Sequence, residues 1–316
     1  MPDDDTLLRL GAWLHQNDYR FVTVTPATHA RVNARTGADD AKSLRDVFGW
    51  SMPFQPSLLP QPVLSWLEQG DGLEYRAGRL RSKVRFSTLG DSLYMHSAYP
   101  TGESDAVFFG PDTYRFAALI QQTLAMSGDV RVDCVVDVGC GGGAGGIIAV
   151  KALKHPPSQL ILADINPAAL RYARVNAALA GTPKASFRQG DLFHAIDHPI
   201  DLLIANPPYL LDPDARLYRH GGGDLGSGLS TRIVLEGLPR LAAGGMLILY
   251  TGAPIVDGRD TFWESIAGIV TDANVRYRYA ELDPDVFGEE LESPAYSQVE
   301  RIAAVALVIR ASWPPR

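Results

Sequence analysis

The sequence predicts an α/β protein with a seven-stranded, mostly parallel Rossmann-like sheet, helices on both of its faces, and a smaller N-terminal α+β domain. From Ser104 onward, apolar runs alternate with helical segments, which is the pattern of parallel strands joined by crossover helices. A chain of 316 residues also exceeds the roughly 250–300 residues at which single hydrophobic cores stop growing. We therefore expect an accessory domain over residues 1–103 and a larger domain over residues 104–316.

Seven apolar runs are predicted to form the strands of the sheet. They cover residues 132–138, 159–163, 185–189, 202–205, 246–250, 277–282 and 302–309. Only a loop over residues 283–299 separates the last two, and it contains no long helical pattern. Because parallel neighbours need a crossover connection, usually a helix, these two strands are expected to pair antiparallel at the sheet edge.

The accessory domain is predicted to be helical first and to end in a small antiparallel sheet. Apolar residues recur at helical spacing early in the chain, and helical segments continue to about residue 48. Residues 63–67 form a further predicted helix, and residues 73–76 and 79–86 are predicted to pair as strands across Ala77 and Gly78. Helices followed by such a hairpin indicate a winged-helix-like domain.

Four cations alternate with other residues along the predicted strand 79–86. Arg79, Arg81, Lys83 and Arg85 would share one face, because side chains on a strand repeat with a period of two. Two interpretations stay open at this point. The face is either a solvated outer surface or a surface that binds RNA, DNA or a ribosomal partner.

Composition and charge narrow the class of protein. Hydrophobic residues account for 46% of the chain and charged residues for 21%, and the net charge of −7 disfavours indiscriminate binding to nucleic acid. The first residues lack a signal-peptide profile, and no apolar run reaches the ~20 residues of a membrane span. Cys134 and Cys140 are too few for a disulfide framework or a zinc site. A cytoplasmic protein with no membrane partner and no metal is expected.

A glycine-rich turn over residues 139–146 joins the first predicted strand of the sheet to a helix over residues 147–153. Glycine permits positive φ and lets a ligand approach the backbone, while a helix N-terminus offers free N–H groups. The turn does not place its third glycine as G-x-G-x-x-G requires, and the G-K-S/T of a P-loop is absent. A small-molecule site of another kind is therefore predicted.

Acidic residues accompany the first three strands of the predicted sheet. Asp137 lies just ahead of the glycine turn, Asp164 directly follows the second strand, and Asp191 follows the third. A single acid after a strand is more often a helix cap or a turn former. Three in register favour a ligand site at the carboxyl edge, where open α/β sheets bind their ligands.

The fourth predicted strand ends in the tetrapeptide Asn206-Pro207-Pro208-Tyr209. Proline cannot donate to a sheet ladder, so two in succession end the strand. In isolation the tetrapeptide would be read as a strand-terminating turn.

Together these features resemble the class I S-adenosylmethionine-dependent methyltransferases. Their D-x-G-x-G-x-G opening is matched in this sequence, and N-P-P-Y is the signature of members that methylate a planar nitrogen. The resemblance implies S-adenosylmethionine as cofactor and S-adenosylhomocysteine as product. It implies a cofactor site made of Asp137, Gly139, Cys140, Gly141, Gly143, Asp164, Ile165, Asp191, Leu192, Asn206 and Thr113.

Within that implied site, individual residues have different expected roles. Asp164 would accept hydrogen bonds from the ribose hydroxyls, and Asp191 would read the adenine amino group. Thr113 fits a helix N-cap region equally well.

The resemblance also assigns Asn206, Pro207 and Tyr209 to catalysis. A conjugated nitrogen has a delocalised lone pair, so its attack on a methyl group is favoured by acceptors aimed at its two hydrogens. We expect the Asn206 side-chain oxygen and the Pro207 carbonyl to accept those hydrogens. The ring of Tyr209 would stack on the flat acceptor group.

The identity of the methyl acceptor stays open at this point. Residues 107–114 and 221–232 resemble the corresponding stretches of the release-factor glutamine methyltransferases and "small-domain" methyltransferases, and the resemblance spans about residues 105–252. The N-terminal region differs from that family's five-helix domain, and residues 287–292 do not match it. A protein glutamine of release-factor type, in a translation factor, is the first candidate, and an adenine or guanine amino group of RNA or DNA is the alternative. A cofactor-binding role without catalysis is disfavoured by the intact Asn206.

Overall fold

The computed structural model describes residues 3–76, 78–182, 185–273 and 275–312. It divides into two compact units. The first unit contains residues 1–115, 141–144 and 168–183, and the second unit contains residues 116–140, 145–167 and 184–316. The boundary between residues 103 and 104 remains a prediction.

The first unit begins with helices, as the sequence predicts. Asp3 caps the first of them, because its side chain accepts a hydrogen bond from the N–H of Asp5 at 3.0 Å. The leucines at 7, 10 and 14 lie on its buried face, where they enter the core of this unit. The helices are α1 (Asp4–Gln16), α2 (Pro26–Asn33), α3 (Leu44–Phe48) and α4 (Gln61–Gln69).

Two separate two-stranded sheets follow these helices, where the sequence predicts a single hairpin. They consist of β1 (Leu73–Arg76), β2 (Arg79–Ser82), β3 (Val84–Leu89) and β4 (Ser92–Ser97), paired antiparallel as β1–β2 and β3–β4. Ala77, which belongs to the predicted turn, lies outside the described residues. The predicted strand 79–86 is therefore two strands, which is a correction.

The break between β2 and β3 has a local cause. The Ser82 hydroxyl donates to the carbonyl of Val84 at 2.6 Å and accepts its N–H at 3.2 Å. Such side-chain bonds to the backbone compete with a sheet ladder. The N–H of Lys83 donates to the carbonyl of Gly72 at 2.8 Å, and the chain then enters the next sheet.

The prediction that four cations share one face is wrong for the same reason. Arg79 pairs with Asp40, Lys83 pairs with Asp71, and Arg81 donates to the backbone carbonyls of Ser51 and Tyr99. Arg85 belongs to β3 and is only 4% exposed. A phosphate backbone would not meet four free cations on this surface.

The second unit is built on a sheet whose main path contains seven strands. Its order is β11-β12-β9-β8-β5-β6-β7, and the short β10 pairs with β9. The strands are β5 (Cys134–Val138), β6 (Gln159–Asp164), β7 (Ala185–Gln189), β8 (Ile200–Ala205), β9 (Leu241–Val256), β10 (Arg259–Asp260), β11 (Val275–Asp283) and β12 (Arg301–Ala311). The later helices of the chain are α5 (Pro111–Met126), α6 (Ala144–Ala152), α7 (Pro167–Leu179), α8 (Gly228–Gly237) and α9 (Thr261–Asp272).

The predicted sheet, with an antiparallel pair at its edge, is confirmed. Strands β5 to β9 pair parallel, whereas β12 is antiparallel to both β9 and β11. The order of strands reverses between β5 and β8, which is the point where doubly wound sheets open a ligand crevice. Within the described residues, no helix is long and apolar enough to cross a membrane.

Helices α8 and α9 form one hydrophobic core with this sheet. Ile233 of α8 and Phe262 of α9 are fully buried in a cluster with Val136, Leu203 and Leu247. The hydroxyls of Ser230 and Thr251 share a buried hydrogen bond of 2.6 Å, so the polar groups inside this layer are satisfied. The carboxyl ends of β5 and β8 are thereby held on a rigid support.

Candidate functional site

The glycine turn follows β5 and leads into α6. Gly139, Gly141 and Gly143 all have positive φ, at 66°, 52° and 79°. A Cβ built at Gly139 or Gly141 would meet no described atom within 4 Å, so space is open beside this backbone. The turn therefore has the conformation and the access that the sequence predicts for a ligand-binding turn.

Asp137 forms a hydrogen bond with the helix that follows the glycine turn. It is 2% exposed, and its Oδ2 accepts the N–H of Gly146 at 2.7 Å in the first turn of α6. Burial raises the pKa of this carboxyl to about 7. A Cβ at Gly145 would come within 2.5 Å of the Phe116 ring and 3.0 Å of the Asp137 carboxylate, so there is little room for a side chain at this position. Asp137 thus fixes the start of α6 rather than facing open space.

The second strand of the site ends in Asp164, and its neighbours are held by the backbone. The Asp164 carboxylate accepts the N–H of Asn166 at 2.9 Å. The N–H of Cys140 donates to the carbonyl of Ala163 at 3.0 Å, and burial raises the pKa of the Cys140 thiol. Ile165 stands out because 52% of its surface is exposed although it is a large apolar residue. It offers an apolar surface next to the Asp164 carboxylate.

Asp191 follows β7 and is engaged with α8. Its carboxylate receives both terminal nitrogens of Arg232, at 3.0 Å and 3.3 Å. This pair is about half exposed on each side. Leu192 is buried and has a φ of 47°, a conformation that is uncommon for a residue other than glycine. Asp191 is therefore in the predicted place, with an arginine as its present partner.

Asn206 lies directly after β8, at the carboxyl edge of the sheet. The residue is half-buried, and no described residue hydrogen-bonds to its side-chain amide. Pro207 is buried and Pro208 is half-buried. The site thus presents a primary amide that is fixed at the end of a buried strand and is available to a ligand.

The structure does not support the stacking role predicted for Tyr209. The residue is 5% exposed, and its ring packs against Phe287 with a centroid distance of 5.8 Å. A Cβ at Gly252 would come within 2.2 Å of the ring, so β9 covers it closely. Tyr209 anchors the turn after β8, and a flat acceptor group would have to displace these neighbours to reach its face.

A glycine segment over residues 221–228 wraps this turn. A Cβ at Gly221 would lie 2.5 Å from the carbonyl oxygen of Pro208, and one at Gly226 would lie 2.5 Å from that of Tyr209. Gly226 also has a φ of 91°. These glycines are required by close backbone approach, which gives a physical reason for the G-rich stretch that the sequence contains.

The connection between β11 and β12, residues 284–300, packs against the chain that follows the tetrapeptide. The Tyr296 hydroxyl accepts the N–H of Leu211 at 2.8 Å, and Glu290 pairs with Arg219. Phe287 is half-buried and has a φ of 56°, an outlier for an aromatic residue. The sequence places a loop here but assigns it no role, and its local signal is the aromatic-glycine pair Phe287-Gly288.

Thr113 and Asn176 both lie in the first unit. Thr113 is buried in the first turn of α5, where its hydroxyl accepts the N–H of Gly110 at 3.2 Å. Asn176 of α7 is fully buried and donates to the carbonyl of Gly142 at 2.8 Å. It also exchanges two hydrogen bonds with the backbone of Met95, at 2.6 and 3.0 Å. A lone Asn in a helix carries no sequence pattern, so Asn176 is not among the predicted site residues.

No group of three or more potential metal ligands occurs among residues 3–76, 78–182, 185–273 and 275–312.

Comparison with known proteins gives a family match to the central part of the chain. Residues 112–252 match the family described as methyltransferase small domain. A release factor glutamine methyltransferase from Deinococcus radiodurans is 29% identical over 233 residues, covering 70% of this chain and 76% of that protein. One from Cereibacter sphaeroides is 36% identical over 172 residues, covering 49% of this chain and 56% of that protein. The chain thus spans little more than half the length of this second relative.

Solved structures support the fold. The wild-type Trm5b from Pyrococcus abyssi has a TM-score of 0.50 and 16% identity, covering 80% of this chain and 68% of that one. At this identity the likeness concerns the fold alone, which is a Rossmann-like arrangement as predicted.

Proposed function

Since residues 112–252 match the methyltransferase small domain family, we propose that the chain is a methyltransferase that uses S-adenosylmethionine to methylate a planar nitrogen, the side-chain amide of a protein glutamine. The observation that carries this proposal is the Asn206 amide, fixed after β8 with no hydrogen-bond partner among the described residues. A buried strand end that leaves an amide unpaired is suited to recognise a ligand amide.

The acceptor-side chemistry follows from two oxygens. The Asn206 Oδ1 accepts one N–H of the acceptor amide, and the Pro207 carbonyl accepts the other. Both bonds strengthen as the nitrogen loses conjugation and becomes pyramidal, so they favour the transition state over the ground state. The methylated nitrogen is cationic and still carries two hydrogens, and one of these acidic protons leaves to solvent. Positioning, rather than a strong base, therefore supplies most of the rate.

The cofactor side fits S-adenosylmethionine on the geometry of the turn. The open space beside Gly139 and Gly141 admits a ligand to the backbone, with Gly143 completing the turn. Asp164 would hold the ribose hydroxyls, and the exposed Ile165 would cover an apolar face of the adenine. When bound, S-adenosylmethionine supplies an electrophilic methyl group. Asp137 acts indirectly, by holding the start of α6.

Other residues of the implied cofactor site have supporting roles. Cys140 contributes through its backbone, which is tied to β6. Leu192 lies beside Asp191 at the adenine end, and Thr113 fixes the start of α5.

Phe287 takes the place of Tyr209 as the aromatic residue of the acceptor site. Its ring meets the Tyr209 ring at an interplanar angle of 70°, so the two are edge to face. Unlike Tyr209 it keeps part of its surface exposed. We assign the stacking role to this partly exposed ring.

A protein acceptor is favoured over a nucleic acid by the surface of the connection 284–300. Asp285, Glu289 and Glu292 are exposed there, and this stretch contains no lysine or arginine. Carboxylates beside the acceptor site repel phosphates. The relatives named as release factor glutamine methyltransferases point to a glutamine in a translation protein.

The proposal is tested by transfer of a labelled methyl group into a cell extract. The protein is incubated with labelled S-adenosylmethionine and the extract, and the product is divided between protease and nuclease. Label that survives nuclease and is lost with protease, and that maps to methylglutamine by mass spectrometry, is the expected result. Label that is lost with nuclease would instead identify RNA or DNA as the acceptor.

A matched variant controls the labelling experiment. Asn206→Ala is expected to abolish transfer while its dissociation constant for S-adenosylmethionine stays near that of the wild type. Asp164→Ala is expected to do the reverse, weakening cofactor binding first. Full turnover in Asn206→Ala would remove the basis of the mechanism.

A further inference from the structure

Arg85 is an unusual residue of the first unit because its charge is buried without a counter-charge. It lies on β3 and is 4% exposed. One terminal nitrogen is 3.4 Å from the Thr23 hydroxyl, which is a long hydrogen bond, and Nε is buried with no partner. No described carboxylate forms an ion pair with it. Its other close neighbour is the ring of Phe21, 5.8 Å from the guanidinium carbon.

A buried cation in this state is costly. Removing an arginine from water is unfavourable unless an anion or several hydrogen bonds compensate it. Burial lowers the pKa of Arg85 to about 10, which still leaves it charged at neutral pH. The structure therefore retains a positive charge whose compensation within the described part of the chain is incomplete.

The neighbours of Arg85 form a small cavity beside it, lined by polar and aromatic residues. Its lining includes Thr23, His29, His96 and Tyr99, with Phe108 and Phe109 on the apolar side. Burial lowers the pKa of His29 to about 4 and lowers that of His96 as well, so both rings are neutral hydrogen-bonding groups at pH 7.

Hydrogen bonds fix several of these polar groups, whereas two buried nitrogen atoms have no partner. Thr23 bonds to Ser87, and Ser87 bonds to His96 Nε2 at 2.8 Å. His29 uses Nε2 on the carbonyl of Trp50 at 2.8 Å, while its Nδ1 is buried without a partner. Two buried nitrogen atoms, on Arg85 and His29, thus lack partners beside the same cavity. Because the Trp50 carbonyl can only accept, the proton of the neutral His29 ring lies on Nε2 and Nδ1 is an acceptor, so Arg85 is the group of the two that can donate to an anion.

We propose that this cavity binds an oxyanion group, a carboxylate or a phosphate of a small molecule, with Arg85 as the charged anchor. Arginine presents several donors in a planar fork that matches both kinds of group. None of the residues around this cavity belongs to the Asn206 site. A ligand here would bind through the first unit alone.

The test compares thermal unfolding of the full chain with and without added anion. Wild type, Arg85→Met and Lys83→Met are heated in a chloride buffer and in the same buffer with millimolar phosphate or acetate. Wild type and Lys83→Met are expected to gain a few degrees with the anion that fits. Arg85→Met is expected to unfold higher than wild type without anion, since a buried unpaired charge is removed, and to gain nothing when anion is added.

The result that would overturn the proposal is equally specific. An anion-induced rise in Arg85→Met equal to that of the wild type would show that the anions act elsewhere. The phosphate and acetate arms separate a phosphorylated ligand from a carboxylic acid.

If Arg85→Met does not fold, a second measurement, on the wild type, tests the proposal. The ring resonances of His29 and His96 are followed by NMR while phosphate or acetate is titrated into the wild type. A saturable shift of these resonances is expected, and unchanged resonances with both anions would end the proposal.

Discussion

Asp191 and Arg232 form a bidentate ion pair, with the two terminal nitrogens of the arginine at 3.0 and 3.3 Å from the two carboxylate oxygens. The arginine has a second acceptor, because its Nε donates to Glu236 at 2.9 Å. The pair raises the pKa of Arg232. If Asp191 is to read an adenine amino group, its carboxylate must exchange this partner for the ligand.

Replacing Arg232 by methionine is therefore expected to strengthen cofactor binding. The pair is about half exposed on each side, and exposed pairs contribute up to ~1 kcal/mol, so we expect a gain of up to about fivefold in affinity. Isothermal titration with S-adenosylhomocysteine measures it.

Glu236→Gln is the matched control for this variant. It removes the other partner of Arg232 and leaves the pair with Asp191 in place, so no gain is expected. Weaker cofactor binding in Arg232→Met would contradict the idea that Arg232 and the cofactor compete for the Asp191 carboxylate. It would mean that the arginine positions Asp191 for the ligand.

The buried carboxyl of Asp137 should make the stability of the protein depend on pH. Its pKa is about 7 in the folded protein against 3.8 as reference. A raised folded pKa gives stability that is fully present below pH 4 and is lost as the pH rises through 7. The difference of about 3 pKa units sets a ceiling of about 4 kcal/mol on this contribution.

Asp137→Asn is the variant that isolates this effect. Its amide oxygen can still accept the N–H of Gly146, but it does not titrate. The wild type is expected to lose more free energy of unfolding between pH 4 and pH 7 than the variant does, by chemical denaturation at each pH. Asp129→Asn, at an exposed ion pair with His155, controls for surface charge. Parallel pH profiles for wild type and Asp137→Asn would contradict the assignment.

The sequence predicts the backbone part of the site well, because that part depends on local signals. Asp164 and Asn206 each end or follow an apolar run, and the structure places both at carboxyl ends of parallel strands. The positive φ values of the turn likewise follow from its glycines. Such features need only the order of residues along one strand and the next turn.

The environment of the aromatic residues could not be predicted in the same way. Whether the ring of Tyr209 is open depends on Gly252 of β9 and on Phe287, which are far away in the sequence. Arg85 shows the same limit, since its position in the period-two pattern predicts an outer face and a break at Lys83 sends it into another sheet. Burial is decided by long-range packing, which a single sequence does not display.

Asn176 is expected to be important for stability although its sequence context is ordinary. Its amide satisfies the N–H and the carbonyl of Met95 and the carbonyl of Gly142. Asn176→Leu has a similar volume and leaves all three backbone groups unpaired. Since each buried unpaired group costs about 1–3 kcal/mol, we expect the free energy of unfolding to fall by at least about 2 kcal/mol.

The Asn176 prediction also has a functional readout. Because Gly142 belongs to the glycine turn, the affinity for S-adenosylhomocysteine should fall in Asn176→Leu. Asn17→Leu is the control, since Asn17 is exposed and its side-chain amide donates to the carbonyl of Trp13 at 2.8 Å. A wild-type denaturation midpoint in Asn176→Leu would mean that the three groups find other partners.

Phe287 gives the sharpest test of the acceptor site, because strain and stacking predict different outcomes there. Its φ of 56° is unfavourable for a bulky residue and favourable for glycine. Phe287→Gly relieves that conformation but removes the ring, Phe287→Leu keeps the conformation without an aromatic face, and Phe287→Trp keeps both. If the ring stacks on the acceptor, Gly and Leu should raise KM for the acceptor about tenfold, as the loss of ~1.4 kcal/mol would, while Trp stays near wild type. The dissociation constant for S-adenosylhomocysteine should not change in any of the three.

Tyr277→Leu, at a 45% exposed aromatic residue of β11, is the matched control. If Phe287→Leu methylates the acceptor with a wild-type KM, the ring serves only to pack on Tyr209, and the flat face of the acceptor must be held by another residue.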